Sequence, residues 1–301
     1  MSHLIPFAKS YKTSADLVAL LQSRGLVIDN PHKAEHYLDN IGYYRLSAYM
    51  HPLLKNPKSA HQYKNGASFK QVMMLYRFDK KLRMLIFNEI EKIEIAIRRA
   101  VMQITAEMTG DDFWLTNPMY FANQATFDDT LRAVKKEYDH SRAEFINHFR
   151  TTYSAPFPPA WILGELLTIG NVNAIYRNIK QNRIRKRIAK RFGLPIDVFE
   201  SWLTIIAVTR NACGHHSRVW NKQNAIPPMM LNRPQQAWIT LKTNPLRIYF
   251  DLCIIKYFLD AVSPQNDLLA KLRWLFVDFT EIDLRAMGFP VGWEMEPLWQ
   301  S

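Results

Sequence analysis

Twelve consecutive residues, Arg210-Asn211-Ala212-Cys213-Gly214-His215-His216-Ser217-Arg218-Val219-Trp220-Asn221, hold two arginines, two histidines and two asparagines and no acid. A guanidinium can hold a phosphate through a bidentate fork. An imidazole, with an ordinary pKa near ~6.5, can take or give a proton at neutral pH. An Arg followed five positions later by a His therefore suits RNA cleavage, in which a 2′-hydroxyl is deprotonated and a leaving oxygen protonated. R-x-x-x-x-H is short enough to recur by chance, and the bland alternative is a buried, hydrogen-bonded histidine pair. The surroundings must carry the rest.

Other chemistries have less support. Cys213 and Cys253 are the only cysteines, which gives neither a disulfide framework nor a C-x-x-C pair. Zinc on His215, His216 and Cys213 would need i, i+4 or C-x-x-C spacing and a nearby carboxylate, so no metal is expected. A Cys213–His nucleophile pair has no further motif behind it. Neither G-x-x-x-x-G-K-[ST] nor G-x-G-x-x-G occurs, so no nucleotide cofactor is expected.

Charge is concentrated around the same stretch. The formal net charge is +12. Residues 166–250 hold fourteen Lys/Arg against Asp197 and Glu200, which is the whole surplus; the remainder has 25 of each sign. A charge run is often only a solvated face, but an even scatter would have spread the excess. A polyanion is the simplest partner for such a field.

The elements that must position these groups read as helices throughout. Thr13 and Ser14 cap a helix that stops at Gly25, and Asn30-Pro31 opens another ending near Gly42. A short helix follows over 43–49, then a polar loop over 55–66. Ser68 and Gln71 form a capping box before a long periodic segment reaching Gly110. Its buried stripe is Ile86, Ile90, Ile93, Ile97, Val101, Ile104 and Met108, and its length predicts a break near Phe78-Asp79. Glu91, Glu94 and Arg98 share one face, either as surface ion pairs or as a polar row turned toward Arg210 and His215.

Farther on, Thr126 and Asp129 start a helix to about Arg150, and prolines at 156, 158 and 159 break the chain. Residues 161–167 read as an apolar helix with Glu165, an acid suited to a first turn or to supporting the site. Residues 178–191 read as a basic helix whose Arg183, Arg185, Lys186 and Arg187 would contact phosphates. A membrane-surface helix would show a wider Trp/Phe/Leu face. Pro195 opens the helix that delivers Arg210, with Val198, Phe199, Trp202, Leu203, Ile206 and Val208 as its core side. A bend at Gly214 is expected to place His215 at or just past its end. Asn244-Pro245 caps an apolar helix to about Val262, another covers 265–279, and Trp293 and Trp299 read as an aromatic latch.

At 301 residues, 48% apolar and 13% aromatic, the chain is expected to fold with a large core. Met1-Ser2-His3-Leu4-Ile5-Pro6 lacks a signal-peptide pattern, and no apolar run has the ~18 residues of a membrane span. The expectation is a soluble, cytoplasmic protein with no membrane partner.

These residues carry a resemblance. Ile41-Gly42-Tyr43-Tyr44-Arg45-Leu46-Ser47, Phe78-Asp79 through Glu91, Glu94 and Arg98, Pro159-Ala160-Trp161, the 210–221 signature and Met287-Gly288-Phe289-Pro290 resemble the Abi-like (abortive infection) family of bacterial phage-defence proteins, within the HEPN superfamily of helical ribonucleases. Gly214 stands where Ala is more usual. The resemblance implies one all-α domain over 1–301, a HEPN-type bundle at 67–263 with added helical segments at 1–66 and 264–301. It also implies a metal-independent endoribonuclease acting in phage defence or as a toxin. Arg210 would bind phosphate and His215 move protons, with Asn211 and Glu94 orienting them. His216, Arg218 and Asn221 would join the RNA surface. Relatives pair two R-x-x-x-x-H motifs across one site, so a homodimer is expected here, with RNA as substrate and a regulatory non-coding RNA as a further partner. A non-catalytic RNA-binding module and a regulatory protein-binding subunit remain the other readings.

Overall fold

The structure, a computed structural model, describes residues 10–300. Met1 to Pro6, read above for a leader, lie outside the described residues. The described residues are all-α: helices and short 3-10 turns, with three isolated bridges (Val27–Ser68, Leu54–Tyr63 and Phe121–Ile179) and no strand. Contacts group the described residues into two compact units, 10–81 with 278–282, and 82–277 with 283–300.

The first unit contains α1 (Ser14–Ser23), α2 (Pro31–Ile41), α3 (Tyr43–Met50) and the start of α4 (Phe69–Thr109). Local sequence sets each start. Thr13 and Asp16 form a capping box, and Asn30 Oδ1 accepts from Lys33 N–H at 2.9 Å. Ser68 and Gln71 cap each other's N–H groups at 3.1 and 3.2 Å. Helix α4 runs unbroken for 41 residues, so the expected interruption at Phe78-Asp79 does not occur. No Gly or Pro lies between 69 and 109. Asp79 is fully buried, but it accepts a hydrogen bond from the Tyr49 hydroxyl at 2.6 Å, so the acid needs no opening of the helix.

The second unit takes the rest of α4, then α5 (Gln124–His140), α6 (Glu144–Thr152), α7 (Ala160–Gly164), α8 (Ile169–Asn178), α9 (Asn182–Arg191), α10 (Ile196–Gly214), α11 (Ile248–Val262), most of α12 (Leu268–Asp278) and α13 (Pro297–Gln300). Every residue of α11 from 248 to 259 is buried, Asp251 and Lys256 among them. Helix α10 packs on α11, α8 and α9, with Phe192, Phe199, Trp202 and Phe258 in mutual ring contact. Phe289, Trp293 and Trp299 close over Tyr249 at 4.7–6.3 Å, forming the aromatic latch.

Several expected boundaries move. The single helix expected up to Arg150 is two, because Ser141 is extended and the Arg150 guanidinium folds back onto the Tyr138 and Ser141 carbonyls. The 161–167 helix is the five-residue α7. Helix α8, with its Thr168/Asn171 capping box, separates from the basic helix, which begins at Asn182 and not at 178. Helix α11 starts at Ile248, past Asn244-Pro245. Val208, expected in the core, is 44% exposed. No single helix among the described residues is long and apolar enough to cross a membrane; α9 and α10 meet that test only as a pair bent by 64°.

Candidate active site at the end of α10

Helix α10 delivers Arg210 in its last full turn, and its end is closed differently from expectation. Gly214 is helical and His215 is the C-cap residue. The turn is made by His216, whose φ is +57°. His216 N–H donates to Cys213 O at 3.1 Å and Ser217 N–H to Ala212 O at 2.8 Å, the paired bonds of a Schellman closure. An alanine Cβ at Gly214 would sit 3.5 Å from Phe87 and 3.9 Å from Arg210 Nη1, ordinary contacts. The bend expected at Gly214 is therefore made two residues later.

Arg210 lies against α4. Its Nε is 3.6 Å from Glu94 Oε2, its guanidinium stands 5.3 Å from the Phe87 ring centroid, and its Nη1 reaches Asn211 Oδ1 at 3.5 Å. Glu94 is buried and accepts from Arg98 Nη2 at 3.2 Å, and Arg98 Nη1 lies 3.6 Å from Glu165. Two arginines thus flank one buried carboxylate. Arg210 Nε is buried and makes no hydrogen bond among the described residues, so its guanidinium is held by charge and ring contact. Phe87, Glu91, Glu94, Ile95, Arg98 and Arg210 line a cleft of about 300 Å³.

His215 is exposed, and its ring has no hydrogen-bond or ion-pair partner among the described residues. Five residues of helix turn a side chain by about 140° from its starting direction. Arg210 and His215 of one chain consequently diverge, and no hydrogen bond joins them. Asn211 is exposed beside them.

The loop after the signature is tied to α11. Asp251 is fully buried and accepts from Thr209 Oγ1 at 3.0 Å and from Asn224 Nδ2 at 2.9 Å on both oxygens. Burial outweighs those bonds and pushes its pKa up to about 7. Arg247 Nη1 donates to Asn221 Oδ1 at 3.2 Å, while Asn221 itself sits at φ +47°. Gly288, at φ +92°, lets the tail pass Arg247; a Cβ there would lie 2.5 Å from the Arg247 Cβ.

The remaining residues expected on an RNA surface fall into two groups. Arg183 and Lys186 are exposed on α9, with Arg183 Nε bonded only to Gln181 at 2.8 Å. Arg185 is half-buried on Glu200 at 2.8 Å, and Arg187 meets Glu107 of α4 at 2.8 Å. Two of these four cations are thus already matched by acids. His216 is exposed, Arg218 half-buried, and Asn221 is used inside the fold by Arg247. Glu165 caps the C-terminal end of α7 and pairs with Arg98, so it is not a first-turn acid. Phe87, Thr209, Asn224, Arg247, Asp251 and the steric role of Gly288 are not foreseen from the sequence. Only the glycine left a trace, inside the Met287-Gly288-Phe289-Pro290 motif.

A family model described as Abi-like protein matches residues 36–221, more than half of the chain and up to the last residue of the signature. The chain belongs to the Abi-like family, which points to abortive infection, a form of phage defence. Comparison with curated proteins and with solved structures finds no match.

Proposed function

We propose that the chain is a metal-independent endoribonuclease of the HEPN type that cuts RNA during abortive infection. The observation that carries this reading is the pairing at the end of α10 of a phosphate-ready Arg210, braced by Glu94 and Phe87, with an exposed and unpartnered His215. Arg210 holds the scissile phosphate. His215 takes the 2′-hydroxyl proton, the 2′-oxygen attacks phosphorus, and the 5′-oxygen leaves with a proton from a second acid. One His215 cannot be base and acid in the same step, so a homodimer supplies that acid as the partner subunit's His215. The products are a 2′,3′-cyclic phosphate and a 5′-hydroxyl. Exposed Arg183 and Lys186 hold the flanking strand.

The test is to mix wild-type and His215→Ala subunits and measure cleavage of a single-stranded RNA. A shared site lowers activity below simple dilution; activity that tracks only the wild-type fraction removes the dimer from the mechanism. RNA bound but left uncut by the wild type would favour a non-catalytic RNA-binding module.

A further inference from the structure

The Arg210 cleft does not end at Arg98. Ile95 and Arg98 also line a second, larger groove of about 660 Å³ that continues along α4 to Glu107 and is walled by α7. Its surface is mixed. Ile95, Met102, Ala106 and Trp161 make an apolar lining, with Trp161 46% exposed and Ile95 52% exposed. A large indole left half-open inside a groove is the kind of surface a flat ligand covers.

The indole is held there by the backbone. Ala160 N–H donates to Asp112 O at 2.8 Å, which anchors the start of α7. At its end, a Cβ on Gly164 would lie 2.8 Å from Met102 Cγ, so only glycine lets α7 come this close to α4. Trp161, one turn before Gly164, is consequently fixed at the groove.

The polar groups sort into two sets. Arg98 is paired with Glu94 and Glu165, and Glu107 with Arg187, so these charges are matched within the fold. The exposed Arg99, Gln103 and Asp112 side chains have no hydrogen-bond or ion-pair partner among the described residues. One guanidinium, one amide and one carboxylate give donors and acceptors with no net charge. A phosphate would want net positive charge, and an acyl chain would want no polar groups. A nucleobase has an apolar face for the indole and an edge of mixed donors and acceptors for the rest.

We propose that this groove is a nucleobase subsite, in which Trp161 stacks on one base of a single-stranded RNA whose phosphate lies at Arg210. The proposal rests on the ribonuclease reading for its ligand, but it concerns binding and is tested without cleavage. The probes are a labelled 2′-O-methyl RNA oligonucleotide, which cannot undergo 2′-hydroxyl attack, and an abasic strand of the same length, which keeps the phosphates. Their affinities are measured against salt for wild type, Trp161→Ala and Trp161→Phe.

The wild type should prefer the base-bearing strand. Trp161→Ala should lose roughly 5- to 100-fold in affinity for that strand, the usual scale of one base–aromatic stack, with Trp161→Phe close to wild type. The salt slope should not change, because every phosphate keeps its cation. Unchanged affinity in Trp161→Ala would overturn the subsite, as would an equal loss on the abasic strand. A wild type that binds neither strand would overturn the RNA reading and the subsite with it.

Discussion

Asp251→Asn should change how stability depends on pH, and the sign follows from burial. Asp251 is 1% exposed and its pKa is raised from 3.8 to about 7. Between those values the folded protein keeps a proton that the unfolded chain has released. The group's contribution is therefore complete below about pH 4, declines as pH rises, and is gone above about pH 7. At ~1.36 kcal/mol per unit, the full swing is on the order of 4 kcal/mol. Asparagine cannot titrate. It does return one N–H toward Asn224 Nδ2, which now donates to both carboxylate oxygens, so a pH-independent loss of about 1 kcal/mol is expected as well. The assay is urea unfolding of both proteins at intervals from pH 5 to 8. The wild type should lose stability relative to Asp251→Asn across this range, ending closer to the variant, or below it, at pH 8. A difference that is flat with pH, or that grows in the wild type's favour, would refute the account of Asp251 as a carboxyl kept protonated by burial.

Three further sets of substitutions read the site's supports. Gly288→Ala should destabilise by about 2 kcal/mol or more, because φ +92° and the nearby Arg247 side chain both oppose a Cβ, whereas helical Gly214→Ala should be neutral or stabilising by up to about 1 kcal/mol; thermal unfolding of the two variants checks the contrast. Glu94→Gln leaves Arg98 and Arg210 without their shared carboxylate and should cost about 1–2 kcal/mol in urea unfolding while slowing cleavage, and a stabilised variant would contradict its role as their clamp. Arg183→Gln with Lys186→Gln should lower the salt slope of RNA binding by ~0.7 for each phosphate no longer neutralised, while Arg185→Gln should register mainly in stability through Glu200; a slope unaltered by the first pair would mean that α9 faces something else.

Much of the helical layout was legible because each start and stop has a local cause. The stripe from Ile86 to Ile104 is buried as its spacing predicts, its last expected member Met108 is only half-buried, and Thr13, Asn30 and Ser68 cap their helices as read. The break expected near Phe78-Asp79 rested on length alone, and with no Gly or Pro between 69 and 109 the helix runs on. Helix α9 looked uniformly basic because Glu107, which meets Arg187, is eighty residues distant. The same limit applies at the site. Arg210, His215 and Glu94 are chemically conspicuous, but nothing local marks Phe87 as the ring under Arg210 or Asp251 as the anchor of Thr209 and Asn224. His216 taking the left-handed turn beside a helical Gly214 reverses the usual residue preference, which no local rule predicts.

Whether the chain is a metal-independent ribonuclease is read from the fate of a single-stranded RNA incubated with the purified protein in EDTA, followed by analysis of the cut ends. The wild type should cleave it and leave 2′,3′-cyclic phosphates, and cleavage should be lost in Arg210→Ala and His215→Ala proteins that still fold and still bind the RNA, since proton transfer by one positioned imidazole is worth ~10²–10⁴ in rate. Undiminished cleavage by His215→Ala, or 3′-hydroxyl ends from the wild type, would contradict that reading.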